Sequence, residues 1–180
     1  GYERPTAPFL RRLAGEGVLF KNALAQTAWT KASTTSVMTS LYPTTHGVHQ
    51  IPDRIPASTP TLAQRFREAG YATLSLSSVS FTGRLTNLHK GFEELREAGS
   101  QPGRTLYTSK TARDYVDHLA DWLDAHRDVP FFVYLHVFDP HSPYEPRPPY
   151  NTMRVDAAQR EAHLEQEERL KKVIGDPFLA

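Results

Sequence analysis

Apolar residues along this chain fall into two spacings, a helical one and a short continuous one, and the two alternate. Phe9, Leu10 and Leu13 form a stripe after Thr6 and Pro8, and Gly15 and Gly17 halt it, which predicts a first helix. Residues 18–24 then read as a strand. Residues 33–41 predict a short helix dominated by Ser and Thr, an odd choice on propensity alone and better explained by what its N-terminus faces. Residues 61–69, closed by Gly70, predict an amphipathic helix with Leu62, Phe66 and Ala69 inward, leading into a strand at 71–76. The longest helix is predicted at 109–126, with Ala112, Tyr115, Val116, Leu119, Trp122 and Leu123 on its buried side. After Pro130 comes a strand at 131–138, aromatic and β-branched as a buried strand requires. Helices alternating with apolar strands imply an α/β fold, a mostly parallel sheet covered on both faces.

From about Arg147 this rhythm lapses. Pro146, Pro148 and Pro149 lead into 156–172, which is highly charged and predicts a solvated helix. It serves either as an insertion over a cleft or as a surface connection, and the second is the simpler reading. Residues 100–103 read as a surface turn, and no internal repeat appears. With 180 residues, 39% hydrophobic and 23% charged, the chain has an ordinary globular composition and length enough for one core. A net charge of +1, with Lys and Arg scattered among acids, argues against a nucleic-acid partner. The absence of cysteine excludes disulfides and thiolate metal sites. No apolar run reaches the roughly 20 residues of a membrane span.

Candidate chemistry concentrates at two places. In the run 131–144 an apolar strand empties into a loop carrying His136, Asp139 and His141 with Pro140 and Pro143. Ligands of open α/β sheets sit beyond the carboxyl ends of strands, where these groups fall. The competing reading is a plain turn, with Asp139 capping backbone groups and Pro140 fixing the chain. The second place is 28–47, where Thr30 directly precedes the Ser/Thr-rich helix. A helix N-terminus favours a bound anion, although an N-cap threonine is the commoner use of that position.

Together these segments resemble the sulfatase family, within the alkaline phosphatase-like group of metal-dependent hydrolases. The family signature of Cys or Ser, any residue, Pro, Ser and Arg falls on Thr30-Lys31-Ala32-Ser33-Thr34, and 36–40 is similar to the helix that follows it. Tyr42-Pro43-Thr44-Thr45-His46-Gly47 matches its Tyr-Pro-x-x-His-Gly turn. Asp139-Pro140-His141-Ser142-Pro143-Tyr144 matches its Asp-Pro-His-x-Pro-Tyr loop. Residues 1–20 resemble the family's opening, and 90–94 resemble its Gly-Phe-Asp element, in which Phe92 packs. The resemblance marks 1–150 as a partial catalytic domain of alkaline phosphatase/sulfatase-like fold, truncated at both ends. Residues 151–180 are then a charged helical insertion or connection within the same domain.

The resemblance implies a metal-dependent hydrolase of sulfuric esters. Its alternatives are a phosphodiester or phosphonate hydrolase or phosphotransferase using a threonine nucleophile, and an inactive binding domain. It implies catalytic roles for Thr30, as nucleophile, and for His141, beside the leaving-group oxygen. Lys31, His136 and Asp139 are the implied substrate-binding residues. Lys31 is equally readable as a solvent-facing lysine, His136 as a core histidine, and Asp139 as a residue that orients its loop or His141. The implied cofactor is a divalent metal, calcium for a sulfatase and zinc or manganese for a phosphohydrolase. Thr30 would bridge to it, with the other ligands outside this chain, so the segment alone is expected to be inactive. No formylglycine is expected at Thr30, because that residue arises from Cys or Ser. The family's Lys-Trp-His motif would fall near residues 77–81 and is absent. His46 reads as a structural histidine, and His49, His89, His118, His126 and His163 as surface residues. The implied partner is a small-molecule, glycan or lipid-headgroup ester, and the compartment stays open, a periplasmic, extracytoplasmic or membrane-attached parent being compatible.

Overall fold

The computed structural model describes residues 5–97, 112–139, 141 and 156–174. Its centre is a three-stranded parallel sheet of β1 (Ala72–Ser77), β2 (Glu94–Glu97) and β3 (Phe131–His136), in the order β2-β1-β3. β1 pairs with β3 over its whole length, from Ala72 opposite Phe131 to Ser77 opposite His136. Because side chains alternate across a strand, Leu74 and Leu76 face one side of the sheet and Thr73, Ser75 and Ser77 the other.

Helices cover both faces. Helix α5 (Ala112–Ala125) packs Tyr115 and Trp122 on Leu74 and Leu76, with Leu119, Leu123 and Val133 completing that layer. Helices α2 (Thr30–Thr39), α3 (Pro43–His46) and α4 (Leu62–Glu68) belong to the opposite side. There Met38, Val48, Ile55, Ala63, Leu88 and Phe92 form a second cluster against Phe132 and Tyr134 of β3. Helix α1 (Pro8–Glu16) precedes them, and α6 (Ala157–Ile174) is solvent-exposed at every residue whose side chain is described, as its charged sequence predicts.

Several expectations are corrected. Residues 18–24 are not a strand: no strand lies beside them to pair their backbone groups among the described residues, and Val18, Phe20 and Leu24 are 81%, 78% and 87% exposed. The stripe of α1 is exposed too. In α4 the buried residue is Ala63; Leu62 and Ala69 face outward, and Phe66 is half-buried, stacked on Phe132 with ring centroids 4.4 Å apart. Val116 is also exposed. β2 was not anticipated, because its sequence Glu-Leu-Arg-Glu lacks an apolar run. It exists because β1 supplies a parallel edge, and Trp122 Nε1 donates to Glu94 Oε1 at 2.8 Å. The expected turn at 100–103 lies outside the described residues.

Candidate active site

Helix α2 explains its own composition. Thr35 Oγ1 donates to the Lys31 carbonyl and Thr39 Oγ1 to that of Thr35, each at 2.7 Å, so the hydroxyls are satisfied inside the helix. A polar helix can thereby be buried at Thr34, Thr35 and Ser36 without orphaned groups on those bonds. Thr30 is its first residue and half-buried. The N-cap is Trp29, whose side chain cannot cap, and no side chain accepts from the first turn. The first-turn N–H groups therefore lack a hydroxyl cap, the arrangement that favours an anion at a helix N-terminus.

Lys31 is neither solvent-facing nor reaching outward. It is fully buried, its Nζ donating to the Ile51 carbonyl and lying 5.9 Å from the centre of the Phe81 ring. Burial lowers its pKa, with Asp53 opposing and Arg54 adding to the fall. Asp53 itself is held low by accepting backbone N–H bonds from His49 and Gln50 at 2.8 and 2.7 Å. Residues 49–53 are therefore a tight turn folded over the Lys31 ammonium.

His46 is the strut expected of it. Its Nδ1 accepts from Val48 N–H at 3.0 Å, so the proton sits on Nε2, which lies 3.1 Å from Ser36 Oγ. Burial lowers its pKa, partly offset by a bond to the Ala32 carbonyl. Gly47 follows in the left-handed region at φ 72°, closing α3.

The second half of the site stands at the carboxyl edge of β1 and β3, where Ser78 N–H donates to the His136 carbonyl at 2.9 Å. His136 is half-buried, with Nδ1 receiving no hydrogen bond from another of the described residues. Burial lowers its pKa and the nearby His141 lowers it further, which brings the two histidines into one electrostatic neighbourhood. His141 is exposed, stacked on Phe138 at 4.2 Å between centroids, and its N–H donates to the Phe138 carbonyl at 2.7 Å. Asp139 Oδ2 accepts from Ala112 N–H at 3.3 Å, at the start of α5. The loop after β3 is thus tied to the helix on the far face. Tyr134 links the two halves: it shares a face of β3 with His136, and its hydroxyl bonds to Thr34 of α2 and to Thr82. Burial raises its pKa against those two bonds. This link is not legible in the residues alone, because a strand tyrosine reads as packing.

Three histidines expected at the surface are not fully there: His89 and His118 each bury a ring nitrogen, and His126 stacks on Trp122 at 4.0 Å. Beside the N-terminus of α2, Trp29, Phe81, Ile51, Pro52, His49 and Gln50 line a solvent-open groove of about 510 Å³. Phe81 stands in the stretch where the absent Lys-Trp-His would fall; that displaced motif was the available signal for this wall. Among the described residues no three His, Asp or Glu side chains gather as a metal-binding set. Thr30, His136, Asp139 and His141 do not by themselves fit a metal centre.

A parallel α/β sheet with an uncapped helix N-terminus and a histidine pair near its carboxyl edge defines the class, an open α/β architecture whose candidate site lies beyond the strand ends. The Sulfatase family model matches residues 1–172, and the chain belongs to that family. Among solved structures, one described as BT4656 in complex with its substrate D-glucosamine-2-N,6-O-disulfate is 20% identical with a TM-score of 0.62. The phosphonate monoester hydrolase of Agrobacterium radiobacter is 19% identical with a TM-score of 0.63. The matches cover 78% and 80% of this chain but only 31% and 38% of those two. These similarities establish the alkaline phosphatase-like fold. No curated protein sequence matches the chain.

Proposed function

We propose that the chain carries the nucleophile of a sulfatase-family hydrolase of sulfuric or phosphoric esters, with Thr30 as the attacking group. The observation that supports it is Thr30 as first residue of an uncapped, ten-residue helix in a sulfatase-family chain. In this reading Thr30 Oγ bonds to the sulfur or phosphorus and its proton passes to solvent. The bond to the alcohol oxygen breaks, and His141 gives that oxygen a proton. Water then cleaves the Thr30 ester and releases the acid. The first-turn N–H groups and the Lys31 ammonium stabilise the oxyanion, one by direct donation and the other through its field. Asp139 holds the His141 loop, and His136 stays neutral beside it. Family members generally use a divalent metal, which lowers the pKa of an oxygen nucleophile; its ligand set would need residues beyond those described here.

Sulfuric esters follow from the family and from the disulfated substrate named for BT4656. Phosphodiesters and phosphonates follow from Thr30 itself, a direct alkoxide nucleophile, and from the phosphonate monoester hydrolase neighbour. An aryl sulfate, a phosphomonoester and a phosphodiester should be compared in the complete protein, wild type against Thr30→Ala, with calcium, zinc or manganese supplied. Thr30→Ala should lower turnover by about 10³-fold or more. Sulfate turnover lost in the mutant selects the sulfatase reading, and phosphodiester turnover alone selects the second. Activity untouched by the mutation removes Thr30 as nucleophile, and no turnover on any substrate leaves a binding domain.

A further inference from the structure

The geometry points to the Trp29–Phe81 groove as the subsite for the organic half of the ester, and to an aryl or other flat apolar group as its occupant. This rests on the reading of Thr30 as nucleophile, since Trp29 is the residue immediately before it and forms a wall of the groove.

The turn that makes the other wall directs several of its backbone polar groups inward. The N–H groups of His49 and Gln50 donate to Asp53 Oδ2, Asp53 N–H donates to the Gln50 carbonyl at 3.2 Å, and the Ile51 carbonyl accepts from Lys31 Nζ. What faces outward is Ile51, 66% exposed, with Pro52 beside it. Across the groove Trp29 and Phe81 meet edge to face at 6.4 Å, an arrangement that leaves ring surface for a third planar group. Hydroxyl-rich ligands need convergent donors and acceptors, and among the described lining residues the side chains offer few, those of His49 and Gln50 and the Trp29 indole N–H. Among the described residues no carboxylate lines the groove, so none of them repels an anionic head group at Thr30. The ammonium of Lys31 lies behind Phe81 and Ile51, where it attracts the head group without offering a hydrogen bond to the organic one.

The test uses the complete protein and paired substrates with the same acid group, one a benzyl and one a 2-methoxyethyl ester, alcohols of similar acidity. Wild type should prefer the benzyl ester, and Ile51→Ser, at an exposed position that the core does not need, should lose about tenfold of that preference, chiefly in KM. Benzylphosphonate binding, read by isothermal titration calorimetry on wild type and Ile51→Ser, gives a measure independent of turnover. Ile51-dependent binding without turnover of either ester supports the groove and removes the hydrolase reading. Turnover with no benzyl preference, or a preference that Ile51→Ser leaves intact, overturns the groove and spares the hydrolase. Failure of benzylphosphonate to bind overturns it as well.

Discussion

Burial sets the titration of the histidines flanking this site. His46 and His136 both have pKa values pulled below the ordinary 6.5 by loss of hydration. The folded state therefore takes up protons less readily than the unfolded chain. The stability carried by the neutral rings is fully present above about pH 6.5 and is lost as pH falls below it, toward the folded values. Urea midpoints should drop between pH 7 and 5. His46→Asn, which keeps an acceptor for Val48 N–H, should flatten that drop; an unchanged slope would show that His46 is not its source. At this scale the sequence named Thr30, Lys31, His46, His136, Asp139 and His141 but not their surroundings. Lys31 reads equally as a substrate-binding and as a solvent-facing lysine until the turn at 49–53 folds over it, and Asp139 accepts from a residue 27 positions away in the chain.

Among the elements, α4 has the most complete local signal. Thr61 Oγ1 accepts from Gln64 N–H at 3.3 Å while Gln64 Oε1 accepts from Thr61 N–H at 3.0 Å, a reciprocal capping box. Thr61 Oγ1 also donates to the Lys90 carbonyl, joining this cap to the chain before β2. Thr61→Ala should therefore cost about 1–2 kcal/mol, towards the upper end for a cap. Equilibrium denaturation checks this, and Thr61→Ser should recover most of it. Helices with local caps and strands with apolar runs were legible; β2 and residues 18–24 were not. The first is a charged segment made into a strand by its neighbour, and the second an apolar segment with no neighbour to pair it among the described residues. Strand formation depends on a partner that a single stretch of sequence does not contain.

The molecule as a whole has two unlike sides. The layers around the sheet are closed, with Leu74, Leu76, Val48 and Ala63 fully buried, whereas α1 and the residues after it present Phe9, Leu10, Leu13, Val18, Leu19, Phe20 and Leu24 to solvent. Exposed apolar residues in such density favour association. Expressed as these 180 residues, the protein should self-associate with rising concentration, visible by sedimentation velocity, and Phe20→Ser with Leu24→Ser should reduce it. A monomer at all concentrations would show that this segment folds back on the body. The order of helices and strands could be read from periodicity because each element is local. The site could be read only through motifs, since its parts come from residues more than a hundred positions apart.

Lys31 carries one last implication. A cation on the surface gathers counterions, and its reach shrinks as salt is added. This one is roofed by Phe81 and by the turn whose Ile51 carbonyl accepts its hydrogen bond, so dissolved ions cannot crowd around it. Added salt therefore screens it less than it screens a surface lysine, and reagents that modify accessible amines will pass it by.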